Sequence, residues 1–227
     1  IDCMKKASTL VQLGMQRAYD SIKPNIRQNE VAGNIQQSLI SGNDKMGGEY
    51  SGLTIILASG NAASAAHLTP SDKKFSQNEG TIIELGGVKN RYHCPMARTV
   101  YIGKPDKKIE DTMKITNESI ENAIMHTKPG NTAHDVAEAF WDVLHKYGVE
   151  KDSRAGYSIG IGYPPDWGEH TLSIRKNDIT ELKPNVTFHL MAGMWMDTWG
   201  IEMSESIRVT DKGCELFCNL SRDLYLI

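Results

Sequence analysis

The segment Thr81-Ile82-Ile83-Glu84-Leu85 puts a carboxylate in the middle of an otherwise apolar strand. Burying a charge there costs several kcal/mol unless a metal, a cation or a reaction uses it. The chain continues Gly86-Gly87-Val88-Lys89-Asn90-Arg91-Tyr92-His93-Cys94-Pro95, a hairpin-forming run with no second carboxylate in it. Glu84 is therefore either a structural carboxylate paired with Arg98 or Arg91, or a reactive group.

The elements that must hold Glu84 follow from periodicity and stop signals. Apolar residues at helical spacing run over 1–22 and end at Lys23-Pro24, since proline cannot continue a helix. A second helix is expected over 29–40, closing on Ser41-Gly42. The same unit recurs with an offset of 105 residues: Lys128-Pro129 falls on Lys23-Pro24 and Asp135-Val136-Ala137 on Glu30-Val31-Ala32. Each copy leads into β-rich sequence, at 53–58, 81–85 and 99–103, then at 157–163, 186–191, 201–210 and 215–218. A helix-helix-sheet unit used twice predicts an α+β domain: one curved sheet backed by two helix pairs, with the site on the concave face between the halves.

Composition bounds the function classes. The 227 residues carry 25 basic and 28 acidic side chains, a formal charge of -3, which supplies no basic excess for nucleic acid. No apolar run is long enough to span a bilayer and no secretory signal pattern opens the chain, so a cytoplasmic protein is expected. The four cysteines (Cys3, Cys94, Cys214, Cys218) form no close CxxC pair and are too few for a disulfide scaffold.

Five ordered landmarks resemble the pita-bread superfamily of methionine and Xaa-Pro aminopeptidases, prolidase and creatinase. They are Ser59-Gly60-Asn61 to His67, Glu84-Leu85-Gly86 to Arg98-Thr99, Gly156-Tyr157-Ser158-Ile159-Gly160, Lys183-Pro184-Asn185-Val186-Thr187-Phe188, and Val209-Thr210-Asp211-Lys212-Gly213. The resemblance covers nearly all of residues 1–227 as one catalytic domain, and the extra N-terminal domain of creatinase-type members has no counterpart in it. It implies a homodimer. The five metal-ligand positions of the family's peptidases fall here on Glu84, Pro95, Tyr157, Met191 and either Ser204 or, with a one-residue slip, Glu205. Proline and methionine supply no hard oxygen ligand, so no catalytic metal and no other cofactor is expected.

A more specific likeness is to the ectoine hydrolase subgroup. It rests on Arg91-Tyr92-His93-Cys94-Pro95, on Gly156 to Glu169 including Tyr163-Pro164-Pro165-Asp166-Trp167-Gly168-Glu169, and on Met196-Asp197-Thr198-Trp199-Gly200-Ile201-Glu202. The resemblance implies a metal-independent hydrolase of a non-peptide C–N bond, opening the cyclic amidine ectoine to an N-acetyl-diaminobutyrate. Glu84 then attacks the amidine carbon or activates a water, and His67, at the position of creatinase's catalytic histidine, moves the proton. Glu205 is a candidate second acid or base. Trp167, Trp195 and Trp199 are expected to cage a flat cation, with Asp166, Glu169 and Glu202 holding its N–H groups. Tyr157 is a hydrogen-bond donor, Arg98 a partner for Glu84 or for the substrate carboxylate, and His93 and His189 flank the pocket. Two other readings stay open: a metal-dependent Xaa-Pro aminopeptidase or dipeptidase with displaced ligands, and a non-catalytic binding module on the same fold.

Overall fold

The computed structural model describes residues 1–227. Helix α1 (Asp2–Ser21) buries Met4, Ala7, Leu10, Val11, Met15 and Ala18 on one stripe, and α2 (Gln28–Ser41) ends at Gly42, whose φ of 65° reverses the chain. The second pair repeats the arrangement as α3 (Lys107–His126) and α4 (Ala133–Lys146). Helix α4 opens with a capping box in which Thr132 and Asp135 satisfy each other's backbone N–H.

The first half of the sheet is β1 (Ile56–Ser59), followed by a short 3-10 helix (Gly60–Ser64), then β2 (Glu79–Lys89) and β3 (Tyr92–Ile102). Asn90 and Arg91, both at positive φ, turn β2 into β3, so the hairpin is longer than the 81–85 and 99–103 expected from apolar content. The second half is β4 (Gly156–Tyr163), β5 (Asp166–Ile174), β6 (Thr187–Trp195), β7 (Gly200–Val209) and β8 (Cys214–Leu216), with a two-residue β9 (Tyr225–Leu226) lying parallel to β3. Sheet order is β1-β2-β3-β4-β6-β7-β8, with β5 on the free side of β4, and every pair except β3–β9 is antiparallel. Pro164 and Pro165 form the turn between β4 and β5, and Asp166 to Glu169 are already strand, which alternation did not reveal.

Both helix pairs lie on the same face of the sheet. Ile83, Leu85, Met96 and Val100 meet α1 and α2 in one apolar cluster, while Leu190, Ala192, Met203 and Ile207 meet α3 and α4 in another. The backbones touch at Gly87, where a Cβ would stand 2.1 Å from the Ala7 carbonyl oxygen of α1. Alternation then commits the remaining residues of these strands to the face without helices. The two halves meet where β3 runs beside β7, and side chains rather than a strand ladder join them. Thr99 Oγ1 donates to the Glu202 carbonyl and accepts from its N–H, both at 2.8 Å, Ser204 Oγ accepts from Ala97 N at 2.6 Å, and Ser206 Oγ donates to the Pro95 carbonyl at 2.6 Å.

Candidate active site

Register decides which side chains share the open face. Glu84 is paired with Ala97, two residues from Thr99 and Pro95. Across the seam, His189, Met191, Gly193 and Trp195 of β6 face Ser206, Ser204, Glu202 and Gly200 of β7, and Tyr157 of β4 is paired with His189. Strand alternation therefore assembles Glu84, Tyr157, His189, Glu202 and Ser204 at the junction of the halves, all of them buried.

Within this group the hydrogen bonds form a chain. Trp167 Nε1 donates to the Tyr157 hydroxyl at 2.7 Å, which lies 3.0 Å from His189 Nδ1, and His189 Nε2 is 2.6 Å from Ser204 Oγ. Glu84 Oε1 stands 3.8 Å from His189 Nδ1 and has no hydrogen-bond partner. A buried carboxyl oxygen without a donor is costly, and no cation of the protein is paired with it. Above the group lies Trp195, whose indole covers Gly193 so closely that a Cβ there would be 2.3 Å from Cζ2.

Burial sets the protonation states. It pushes the Glu84 carboxyl well above the usual range, with the charges of Glu202 and Asp166 adding to the effect. Burial also raises Glu202 to about 7, against the opposing pull of Lys151. His189 is lowered to about 3 by burial, then by Arg98 and Arg154, so its ring is neutral. Two carboxyl groups and a neutral imidazole are a proton-transfer set, and neither acid is ion-paired with a lysine or arginine, which suits the site to a cation.

Several expected site residues lie elsewhere. Glu205 is on the helix side of β7, paired with Leu190, and its Oε1 is 2.9 Å from Arg98 Nη2 and 3.6 Å from Arg222 Nη1. The one-residue slip that would have made it a ligand puts it on the wrong face, and Ser204 holds the site position. Arg98 is likewise on the helix side, in register with Ile83 rather than Glu84, so it meets neither Glu84 nor the open face. Its five N–H groups go to Glu205 and to the carbonyls of Ala97, Ser204, Leu220 and Ser221.

His93 is buried and structural. It accepts from Gly52 N through Nε2 at 2.9 Å, so its proton is on Nδ1, 2.9 Å from the Arg91 carbonyl, and burial lowers it to about 4. Trp167 is fully buried against Met4, Tyr157 and Ile159 and offers no free face to a cation. Asp166 caps the backbone N–H of Trp167 and Gly168 and pairs with His170 at 2.8 Å, and Glu169 accepts from Ile161 N at 2.9 Å. Trp199 lines a cleft of about 630 Å³ with Thr99, Lys108 and Asn61, to which neither Glu84 nor Glu202 contributes. His67 is exposed, at φ 60°, and makes no hydrogen bond or ion pair with Glu84. Sequence reading missed Lys151 and Arg154, which approach from the loop before β4: Lys151 Nζ is 5.2 Å from the Trp195 ring centre and the Arg154 guanidinium 4.5 Å from that of Tyr157.

A mostly antiparallel sheet with two helix pairs on one face and a polar group at the junction of its halves defines the pita-bread class of domains. The chain belongs to metallopeptidase family M24, whose sequence profile matches residues 2–211. Ectoine hydrolase of Halomonas elongata is 39% identical over an alignment covering all of this chain and 58% of that protein. Among solved structures, the X-Pro aminopeptidase of Thermotoga maritima superposes with a TM-score of 0.89 at 21% identity, covering all of this chain and 62% of that one. The prolidase of Pyrococcus furiosus does so at 0.86 and 22%, covering 97% and 64%. These structures establish the fold, and the chain spans a little over half the length of the curated relative.

The family name implies metal ions, and the residues present do not fit them. At the junction, Pro95 has no side-chain donor, Met191 offers a thioether, and burial holds the Tyr157 phenol well above its usual range, so that it stays neutral. Ser204 Oγ is already engaged by Ala97 N and His189. Glu84 and Glu202 remain, too few anionic donors for two dications, and nowhere do three His, Cys, Asp or Glu side chains gather in a ligating cluster.

Proposed function

We propose that this domain catalyses metal-independent hydrolysis of a C–N bond in a small cyclic amidine, with ectoine as the substrate. The observation that carries this reading is the buried, unpartnered Glu84 carboxyl set beside Glu202 and a neutral His189. The 39% identity to an ectoine hydrolase points the same way. An amidinium entering the site supplies the N–H donors that Glu84 lacks, and its charge draws the raised carboxyl pKa values back down. The pair Glu84 and Glu202 then holds one proton between them. One carboxylate attacks the amidine carbon or activates water there, and the other group protonates the departing ring nitrogen. The water oxygen ends as the new amide carbonyl and the ring nitrogen leaves as an amine. His189, hydrogen-bonded to Tyr157 and Ser204, keeps the site polar without adding charge.

The experiment is to incubate the full-length protein with ectoine and follow ring opening by NMR, with and without a chelator. Ring opening that survives chelation, and that falls by about a thousandfold or more in Glu84→Gln, is expected. Absence of product, unchanged product formation in Glu84→Gln, or a rate restored only by added Mn, Co or Zn overturns the reading, the last in favour of an Xaa-Pro peptidase.

A further inference from the structure

The two acids account for the cationic end of a substrate, and three side-chain donors near them keep N–H groups that nothing in the protein accepts from. Lys151 is buried, yet its ammonium makes one hydrogen bond, to Ser153 Oγ, and no ion pair. Arg154 lies over the Tyr157 ring, and its one side-chain acceptor is Ser173 Oγ at 3.4 Å. The third donor is Trp195 Nε1, which is buried and donates to nothing. Desolvating an ammonium and an indole N–H without an acceptor is unfavourable, and a carboxylate arriving from outside removes the cost at all three. The surroundings favour an anion as well: Lys151 and Arg154 border a cavity of about 540 Å³ in which Arg175 and Lys176 join them against only Glu150 and Asp152.

We propose that Lys151, Arg154 and the indole N–H of Trp195 form a carboxylate subsite beside the Glu84–Glu202 pair, making the site selective for a zwitterion that carries an amidinium and a carboxylate. The amidinium half of this statement rests on the function proposed above, and the carboxylate half stands on these donors. A bipolar pocket fixes the orientation of a small ring. The carboxylate is held on the Lys151 side and the amidine carbon is turned toward Glu84. Arg154 suits the task because a guanidinium stacked on Tyr157 presents its N–H edge in a fixed plane. Lys151 also feels Glu202 and Asp152, whose charges oppose the burial that lowers it to about 8. A role limited to neutralising Glu202 is the competing account.

Calorimetric titration of the full-length protein with three probes separates these possibilities without requiring turnover. The probes are ectoine, its decarboxylated ring 2-methyl-1,4,5,6-tetrahydropyrimidine, and N-acetyl-diaminobutyrate, which has the carboxylate and no amidine. The wild type is expected to prefer ectoine to the decarboxylated ring by about tenfold or more, and Arg154→Met or Lys151→Met to reduce that preference to about twofold. Arg154→Lys should restore part of it, and thermal melts of each variant check folding. A wild type without preference, or a preference that survives both Met variants, overturns the subsite. Equal weakening of both rings by Lys151→Met assigns that lysine to Glu202 and removes it from the proposal. Arg154-dependent binding of the acyclic acid alone keeps the subsite and discards the amidine substrate, whereas binding of no probe discards both.

Discussion

Glu202 shows how a single side chain is tuned by its position. It sits on the face of β7 opposite Glu205, and burial outweighs the pull of Lys151 to leave its folded-state value near 7 against an ordinary 4.5. The folded protein therefore holds a proton that the unfolded chain gives up between those values, so stability is fully present below about pH 4.5 and declines as pH rises toward 7. At about 1.4 kcal/mol per unit, the loss across that window is ~2–3 kcal/mol in the substrate-free protein. Glu202→Gln removes this dependence. Urea denaturation should show the variant gaining ~2–3 kcal/mol on the wild type between pH 4.5 and pH 8, and parallel curves would sink the account. The identity of this residue was half legible in the sequence. Alternation placed an acid in β7 near the site, but choosing Glu205 as the acid/base group required a register that one residue of slip reverses. Lys151 and Arg154 were not legible, because the loop that carries them has no periodicity to tie it to a face.

At the scale of elements, the seam between β3 and β7 explains why two residues expected to do chemistry, Arg98 and Glu205, serve structure. Arg98 joins β3 to β7 and to the C-terminal segment by donating to the carbonyls of Ser204, Leu220 and Ser221 as well as to Glu205, with both charged side chains 1% exposed. Replacing it with methionine leaves the buried Glu205 carboxylate with only Arg222, at 3.6 Å, a loss of about 3–5 kcal/mol. The double variant Arg98→Met/Glu205→Gln should recover about 1–2 kcal/mol of it in denaturant titrations. A single-variant cost below about 1 kcal/mol, or no recovery, would show that the ion pair is not what binds the seam. The helices and the repeated unit could be read from spacing because Lys-Pro stops and 3.6-residue periodicity act locally. Strand β5 could not. Its hydrogen bonds to β4 are interrupted by register shifts between Tyr157 and Ile159 and between Ile159 and Tyr163, and its exposed residues His170 and Thr171 break the alternation that would announce a strand.

For the whole molecule, the question is whether two halves with separate apolar cores unfold as one. Each half packs its own helix pair, and the strand pairing between them is slight: Tyr92 with Ile161, and the two-residue ladder of β9 on β3. The coupling comes instead from the hydroxyls of Thr99, Ser204 and Ser206, from Arg98, and from a small third cluster in which Met4 of α1 meets Tyr157, Ile159 and Trp167 of the second half. The buried backbone groups of Glu202 and Pro95 depend on those hydroxyls, so opening the seam leaves them unpaired at about 1–3 kcal/mol each. That cost falls on neither half alone, which makes their unfolding cooperative. The four tryptophans, Trp141, Trp167, Trp195 and Trp199, all lie in the second half, whereas the helices that dominate far-UV circular dichroism are divided between both. Urea transitions followed by tryptophan fluorescence and by circular dichroism should therefore coincide in the wild type. In Thr99→Val/Ser206→Ala, which removes two of the three hydroxyls, the two midpoints should separate as the halves begin to melt independently. Separate midpoints in the wild type, or coincident ones in the double variant at unchanged stability, would mean that the hydroxyl seam is not what unites the sheet. The site lies on this seam, with Glu84 and Thr99 from one half and Tyr157, His189 and Glu202 from the other, so its geometry exists only while the halves stay joined.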